Sequence, residues 1–181
     1  MALIFKILIL FTILQRIVEL FIAKRNEKFI LSEGGRIIPE TNYIFMVILH
    51  TLWLASIAYA AFILPLNFSP ILFTIGGVFF FIGQVLRITA IKTLGKRWST
   101  RIVILPEAPA INSGIFSFIR HPNYLGVIIE LAALPLMAAL YPIMIFFSVI
   151  NFIILFFRIK KEEECLAQFN NYNHIFNLKN K

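Results

Sequence analysis

Long apolar stretches separated by short polar loops are the feature that most limits what this chain can fold into. Five stretches are apolar enough to be membrane helices: 2–23, 43–64, 71–91, 123–140 and 142–158. A hydrocarbon core of roughly 30 Å needs about 20 apolar residues in a helix, and the first three stretches reach that length. The last two are separated only by Tyr141-Pro142, which predicts a tight helical hairpin, with Pro135 kinking its first helix. The sequence therefore predicts an all-α, polytopic membrane helix bundle with five transmembrane helices.

The composition supports this class and excludes others. A chain with 60% hydrophobic and 14% charged residues is not a soluble globular domain. Its 181 residues predict one membrane domain, 1–181, without a separate soluble catalytic domain. The net charge of +8 would suit nucleic acid, but the cations lie at the ends of apolar segments, which favours the bilayer as partner and no nucleic acid.

The distribution of basic residues predicts the orientation. Most of the 17 lysines and arginines lie in three regions: the connection 24–42, the connection 92–122 and the C-terminal end from Arg158 to Lys181. The connections at 65–70 and 141 contain none. Because cytosolic loops are enriched in Lys and Arg, we expect the N-terminus outside and the C-terminus in the cytosol.

Several polar side chains lie inside the apolar stretches: Arg16, Glu19, His50, Arg87, Glu130 and Asn151. At roughly 1.5 Å per helical residue, all of them fall within about 12 Å of the cytosolic surface. Arginines at that depth can extend to the headgroups, but Glu19, His50 and Glu130 gain nothing at an anionic surface. The pattern predicts a shared polar pocket that opens to the cytosol.

The heptapeptide Arg120-His121-Pro122-Asn123-Tyr124-Leu125-Gly126 is typical of a helix start. Proline is favoured at the first helical position, which places the histidine at the N-cap and leaves free N–H groups that bind carboxylates or phosphates. The glycine allows a ligand or a neighbouring helix to approach the backbone. An ordinary capped helix, with the histidine bonded to a loop carbonyl, is the alternative.

A second polar group follows the last apolar stretch. Arg158 and Glu162 are four residues apart and share a helix face, whereas Glu163 falls on a different one. Arginine before glutamate is the less favourable order for helix stability, so helix support alone explains the pair poorly. A solvated charge run remains the alternative for the neighbours Lys160, Lys161, Glu163 and Glu164.

These residues resemble the isoprenylcysteine carboxyl methyltransferase family of integral membrane enzymes. The similarity runs from Arg87 to Tyr172 and consists of Leu94-Gly95, Gly114-Ile115-Phe116, the heptapeptide, Glu130, Arg158, Glu162-Glu163 and Leu166. Phe116 stands where the family usually has tyrosine, and the chain after Tyr172 is shorter than the family's closing segment. The N-terminal segments Arg16-Ile17-Val18-Glu19-Leu20 and Ala23-Lys24-Arg25-Asn26-Glu27-Lys28, with His50, are similar to a bacterial branch linked to O-methylation of alkylpyrones.

The resemblance implies S-adenosylmethionine as methyl donor and a small lipophilic substrate that enters from the membrane. It implies a donor-binding part at about 87–172, on the cytosolic side of a bacterial inner membrane. We expect the donor to contact Gly114, His121, Pro122, Tyr124, Gly126 and Glu162. We expect Arg158 and Glu162 to act in catalysis, Arg158 by orienting an acceptor oxyanion. The substrate-binding candidates are Arg16, Glu19, His50 and Glu130, and the acceptor is an alkylpyrone-type hydroxyl or a prenylcysteine-type carboxylate.

Alternatives of other classes remain at this point. Sterol reductases share a similar histidine-proline-asparagine-tyrosine turn and bind NADPH, although their closing arginine-aspartate pair and late tryptophan are missing here. A transporter or assembly factor would spread its polar groups over the full membrane depth. No metal is expected, because His50, His121 and His174 are too scattered to form a site.

Overall fold

Five helices form one bundle in the computed structural model, which describes residues 1–40, 42–106, 108–169 and 172. They are α1 (Ala2–Ser32), α2 (Asn42–Ile63), α3 (Pro70–Leu94), α4 (Pro122–Leu136) and α5 (Tyr141–Phe169). Each predicted apolar stretch overlaps one helix, although α4 ends at Leu136 rather than at 140. Helices α4 and α5 form the predicted tight hairpin, in which Ala139 adopts a positive φ of 52°.

The helices differ in how well they match a membrane. Within the described residues, three segments are long and apolar enough to cross one: Tyr43–Ile63, Pro70–Arg97 and Tyr141–Phe169. Helix α4 is apolar but has only 15 residues, or about 22 Å of helix. Helix α1 has 31 residues, and its apolar half carries Arg16 and Glu19. The chain is a multi-pass helical membrane protein.

Two helices continue beyond the ends that hydropathy predicted. Helix α1 ends at Ser32 rather than at 23, and α5 ends at Phe169 rather than at 158. The added turns expose charged side chains while they bury a few others, such as Asn26 and Ile30 of α1. Hydropathy marks where the apolar segment ends, and these helices continue past that point because they pack on the polar connections.

A short ribbon joins the two long basic connections, one before α2 and one after α3. Strands β1 (Arg36–Ile37) and β2 (Val103–Ile104) pair antiparallel, with Arg36 opposite Ile104. The all-α prediction did not include it, because strands of two residues have no detectable alternation. Asn26 also holds this region to α1, since its amide donates to the carbonyl of Trp98 at 2.8 Å.

The bundle has an apolar half and a polar half. The apolar half is a core of buried side chains from all five helices: Phe5, Ile9, Trp53, Ile57, Phe80, Leu131, Leu134 and Phe147. The polar half lies toward the basic connections and contains the buried charged residues. The apolar core therefore fixes the helices at one end, while the other end is left for polar contacts.

Helices α3 and α4 pack unusually closely at Gly126. A Cβ atom there would lie 2.6 Å from Cγ of Arg87 and 2.8 Å from the carbonyl oxygen of Gly83. Of the two roles expected for this glycine, the structure shows the close approach of a neighbouring helix. Its absent side chain allows α4 to bring Glu130 against α3.

We expect Gly126→Ala to destabilise the protein by about 1–3 kcal/mol, because the added methyl group overpacks the contact between α3 and α4. Thermal unfolding in detergent measures the loss. Gly77→Ala is the control, since its Cβ would find its nearest neighbour at 3.8 Å and alanine has the better helix propensity. Equal melting temperatures for the two variants would contradict this packing argument.

Candidate active site

Four ionised side chains from three helices form a closed cluster in the polar half, here called the buried ion network. Arg16 of α1 bonds Glu19 at 2.6 Å and Glu130 of α4 at 2.5 Å. Arg87 of α3 bonds Glu19 at 2.5 Å and lies 3.6 Å from Glu130. Two arginines face two glutamates, so the network is electrically neutral and links α1, α3 and α4.

The sequence predicted that these residues meet, and the structure brings all four together. The side chains of Arg16 and Arg87 are 16% and 5% exposed, so neither extends to the headgroups. Glu130 is fully buried and also accepts a hydrogen bond from Gln84 at 3.1 Å. The pairing explains how α1 and α4 carry charges inside an apolar bundle, since unpaired charges there are costly.

A second polar cluster surrounds Arg158 of α5. Its three guanidinium nitrogens donate to Glu40 at 2.9 Å, to the Thr100 carbonyl at 2.7 Å and to the Tyr124 hydroxyl at 3.0 Å. The Tyr124 hydroxyl in turn donates to Glu162 at 2.6 Å. Arg158 therefore fixes Tyr124, and Tyr124 fixes the carboxylate of Glu162.

Glu163 is the centre of a third group of contacts. Its carboxylate lies 2.9 Å from Nε2 of His121, 2.9 Å from Arg120 and 3.3 Å from the hydroxyl of Tyr172. Burial raises the pKa of Tyr172 above its usual value, with the nearby Glu163 charge adding to the effect. Glu163 of the expected charge run therefore makes specific contacts, at the partly exposed edge of the bundle. The partner of His121 is this carboxylate rather than a loop carbonyl.

The start of α4 has the predicted geometry. His121 is the N-cap residue and Pro122 follows at the first helical position. The imidazole stacks on the ring of Tyr124, with centroids 5.5 Å apart and planes at 23°. The helix start, the imidazole and the tyrosine consequently form one surface that faces the carboxylates of α5.

Two adjoining cavities lie in the polar half. The first, here called the helix cavity, has a volume of about 230 Å³, and its wall includes Arg16, Glu19, His50, Arg87, Tyr124 and Arg158. The second, the loop cavity, has a volume of about 150 Å³, and its wall includes Arg97, Arg101, Phe116, Arg120, Leu166 and Tyr172. Both cavities share Leu94, Ser99, Arg101, Phe116, His121 and Glu162. The shared residues form the common wall of the two cavities. Groups bound in the two cavities would face each other at this wall.

The structure places the predicted site residues unequally around these cavities. His121 and Glu162 line both, and Pro122, Tyr124, Arg158, Arg16, Glu19 and His50 line the helix cavity. Glu130 lies behind Arg16, and Gly126 packs on α3. Gly114 begins a 3-10 turn with φ of 56°, where a Cβ would lie 3.1 Å from Oγ1 of Thr93. Glu130, Gly126 and Gly114 therefore lie outside the cavities. They affect the shape of the site through their packing against neighbouring residues.

The remaining sequence candidates are Asn151, His174 and a metal site. Asn151 is buried, and within the described part of the chain its side-chain oxygen has no hydrogen-bond partner. His174 lies outside the described residues. Among residues 1–40, 42–106, 108–169 and 172 there is no group of three His, Cys, Asp or Glu side chains that could hold a metal ion.

The sequence did not predict two of these partners. They are Glu40, which pairs with Arg158, and Glu163, which pairs with His121. Glu40 lies in a loop before α2, 118 positions from Arg158, and no local pattern marks it. Glu163 was noted only as a member of the Glu162-Glu163 pair, and nothing in the sequence indicated its contact with His121. The contacts come from the tertiary arrangement of α5 against the loops.

The comparison with known proteins assigns the family. The model of the isoprenylcysteine carboxyl methyltransferase (ICMT) family matches residues 74–168, a range that includes the start of α4, Arg158 and Glu162. The chain belongs to this family, which makes it a membrane methyltransferase by class.

Its relatives include two uncharacterized bacterial proteins. YpbQ of Bacillus subtilis is 30% identical over 167 residues, covering 92% of this chain and 98% of that protein. A protein of Haemophilus influenzae is 30% identical over 158 residues, covering 84% and 88%. No solved structure matches the chain.

The buried ion network gives a stability prediction. We expect Glu130→Ala to cost about 3–5 kcal/mol, because it leaves a buried arginine without a carboxylate. The double variant Arg16→Ala/Glu130→Ala should lose less than the sum of its single variants, since it removes a charge pair together. Thermal unfolding in detergent of the three variants measures this coupling.

The exposed pair of Arg120 with Glu163 supplies the control. The Arg120 side chain is 47% exposed, so Arg120→Ala should change stability by about 1 kcal/mol or less. A loss for Glu130→Ala as small as that of Arg120→Ala would show that the network does not stabilise the bundle.

Proposed function

We propose that this protein is an S-adenosylmethionine-dependent O-methyltransferase that acts on a membrane-embedded lipid acceptor. The observation that carries the proposal is the shared wall at His121 and Glu162, which separates a cavity lined by loop cations from a cavity among the helices. A donor in the loop cavity and an acceptor in the helix cavity meet at this wall. The two sites are then reached from different phases, water and lipid.

The residues of the loop cavity fit the chemical groups of the donor. Arg97, Arg101 and Arg120 supply positive charge for its carboxylate, and Glu162 supplies the negative charge for its ammonium group. The ring of Phe116 offers an apolar face to the adenine. Phe116 lines both cavities. This apolar contact does not need the hydroxyl of the tyrosine that the family usually has at this position.

The helix start and the aromatic side chains complete the donor site in this proposal. His121 and Pro122 direct free N–H groups of the first turn of α4 toward an anionic group. Trp98 lines the helix cavity, where its ring face suits a sulfonium cation, while Tyr124 stacks on His121 and holds the carboxylate of Glu162. Gly114 and Gly126 support this framework from outside the cavities, Gly114 against the side chain of Thr93 and Gly126 against α3.

The donor supplies an activated methyl group, and transfer is an in-line displacement, so alignment and exclusion of water provide most of the rate. The hydrogen-bonded chain from Arg158 through Tyr124 to Glu162 holds the shared wall rigid. Because Arg158 is already bonded on all three nitrogens, we assign it to positioning Tyr124 and Glu162. This role replaces direct contact with an acceptor oxyanion.

The acceptor in this proposal places its head group in the helix cavity, beside Arg16, Glu19 and His50, with Glu130 supporting Arg16 from behind. Its tail lies between helices among apolar side chains. An alkylpyrone-type hydroxyl and a prenylcysteine-type carboxylate are the two head groups considered.

We also propose the finer topology: five membrane spans, an external N-terminus, a cytosolic C-terminus and cavities that face the cytosol of a bacterial inner membrane. Helix α1 can cross because the buried ion network neutralises its charges. Residues 1–181 then form a single domain whose donor-binding part is about 87–172.

Donor binding tests the functional proposal. We expect Glu162→Gln and His121→Ala each to weaken S-adenosylmethionine binding about tenfold or more, since each removes a charged or polar ligand contact worth at least about 1.5 kcal/mol. Isothermal titration of the detergent-purified protein measures the affinity. Glu164→Gln, at an exposed position two residues away, should bind normally.

Unchanged affinity in Glu162→Gln would remove this carboxylate from the donor site. Heat released with NADPH, and none with S-adenosylmethionine, would favour the reductase class.

Cysteine labelling tests the topology. In a Cys165→Ser background, Asn67→Cys should react with a membrane-impermeant reagent from outside the cell, and Lys28→Cys should react only after the membrane is opened. Asn67 and Lys28 are both exposed and lie on opposite sides in the proposed arrangement. Reaction of both sites from the same side would contradict it.

A further inference from the structure

We propose that residues 114–119, here called the interface turn, anchor the protein in the headgroup region of the bilayer through the side chain of Phe118. The partner of this surface is a lipid bilayer with anionic headgroups. Three observations carry the proposal: the exposure of Phe118, the height of the turn on α3, and the pairing of the turn's own polar groups. The anchor does not depend on the proposed methyltransferase function.

Phe118 is the most exposed of the large apolar side chains in the described part of the chain, at 87%. The others that are exposed lie within the five helices or beside their ends, where lipid can surround them. Phe118 lies instead in the connection between α3 and α4. A single exposed apolar side chain is common on protein surfaces, so the height of this one relative to the bilayer decides what it contacts.

The lipid-facing side of α3 sets that height. Phe81, Val85 and Ile88 are exposed and form an apolar stripe at helical spacing, which ends one turn later at the exposed Lys92. A lysine at the end of such a stripe extends its ammonium group to the headgroups while its methylene groups stay on the apolar surface. Lys92 therefore marks the level of the headgroups at the basic end of the bundle.

The interface turn packs against α3 at this level. Its first residue, Gly114, lies against Thr93, the residue after Lys92, since a Cβ atom added to the glycine would be 3.1 Å from Oγ1 of Thr93. The turn is a 3-10 helix, Gly114–Ser117, followed by Phe118. At about 2 Å per residue the turn spans roughly 8 Å, similar to the roughly 5–10 Å to which interfacial segments enter a bilayer. Phe118 is thus within reach of lipid.

The polar groups of the turn are paired within it. The backbone N–H groups of Phe118 and Ile119 both donate to the carbonyl oxygen of Ile115, at 3.2 and 3.0 Å. The hydroxyl of Ser117 donates to the carbonyl oxygen of Gly114 at 2.7 Å. Unpaired backbone and hydroxyl groups are costly where water is scarce. The turn can therefore enter the interface without leaving these groups unsatisfied.

The charges around the turn favour a bilayer over a second copy of the chain. Lys92 beside its start and Arg120 after its end are exposed, and the whole chain has a net charge of +8. Anionic headgroups attract such cations, whereas a second copy would bring the same positive charges against them. Arg120 also bonds the partly exposed Glu163 at 2.9 Å, which holds the turn at a shallow depth.

The interface turn also contributes to the cavities. Phe116 lines both the helix cavity and the loop cavity, and it is only two residues before Phe118. Contact of Phe118 with lipid therefore restricts where Phe116 can lie. The anchor couples the shape of the shared wall to the presence of a bilayer.

Spin labelling measures the depth of Phe118 directly. The labelled variants are Phe118→Cys, Ile88→Cys as the lipid reference and Lys28→Cys as the water reference, each in a Cys165→Ser background. They are placed in nanodiscs of phosphatidylglycerol and phosphatidylethanolamine. Molecular oxygen concentrates in lipid, whereas a charged nickel chelate stays in water.

We expect the label of Phe118→Cys to resemble that of Ile88→Cys, with access to oxygen and protection from nickel. Nickel access as high as in Lys28→Cys would overturn the anchor. Protection from both reagents would also overturn it, because a protein partner or a second copy would then cover the turn.

Two substitutions of Phe118 test whether its apolar side chain holds the turn, with a spin label at Ser117→Cys as the readout. We expect Phe118→Ser to raise the nickel access of this label in nanodiscs, and Phe118→Leu to leave it unchanged because leucine is also apolar. Both variants should unfold in detergent at the temperature of the unmodified protein, since this exposed side chain adds little to the packing. Unchanged nickel access in Phe118→Ser would show that protein contacts alone set the height of the turn, and the anchor would be wrong.

Donor titration in the same nanodiscs tests the coupling to the shared wall, and this readout alone rests on the proposed function. We expect Phe118→Ser to bind S-adenosylmethionine about fivefold or more weakly than the unmodified protein, the lower end of the usual coupling between sites. Phe118→Leu should bind it normally. Equal affinities in all three proteins would overturn the coupling. Absence of binding in the unmodified protein would reject the proposed function together with the coupling, while the depth measurement decides the anchor by itself.

Discussion

The neutral network of Arg16, Glu19, Arg87 and Glu130 is the interaction on which the rest of the structure depends. It is the place where α1, α3 and α4 are joined in the polar half of the bundle. An isolated charge at this depth would be too costly to bury, but two pairs that share their partners offset part of that cost. With the network in place, α1 forms one wall of the helix cavity and continues as a long polar extension beyond the apolar half of the bundle.

A second chain of contacts connects the helices to the loops. Arg158 joins α5 to the loop residues Glu40 and Thr100, and through Tyr124 it also joins α5 to α4. The backbone N–H of Ile102 donates to the other oxygen of Glu40 at 2.9 Å. The loops that line the loop cavity are thus held by the same arginine that orients the wall between the cavities. Loss of Arg158 would loosen both sites together.

The sequence predicted the helices and the meeting of polar residues from different helices. It did so because burying charge in lipid restricts where Arg16, Glu19, Arg87 and Glu130 can lie, and a common depth makes them available as partners for one another. The partners of Arg158 and His121 were not predictable in this way. Glu40 and Glu163 lie at the aqueous end, where many charges are tolerated and no depth rule selects among them. Helix ends were missed for the same reason, because hydropathy has no information about helices that continue in water.

The shortness of α4 has a consequence for how the helix cavity meets the bilayer. With 15 residues it extends about 22 Å, less than the roughly 30 Å of hydrocarbon, so at least one end lies within the depth of the acyl chains. Backbone that leaves a helix at that depth is tolerated when it lines a cavity, as the His121 end does. A lipophilic molecule bound in that cavity can then keep its apolar chain in the bilayer. It avoids the cost of about 0.8 kcal/mol for each methylene group drawn into water.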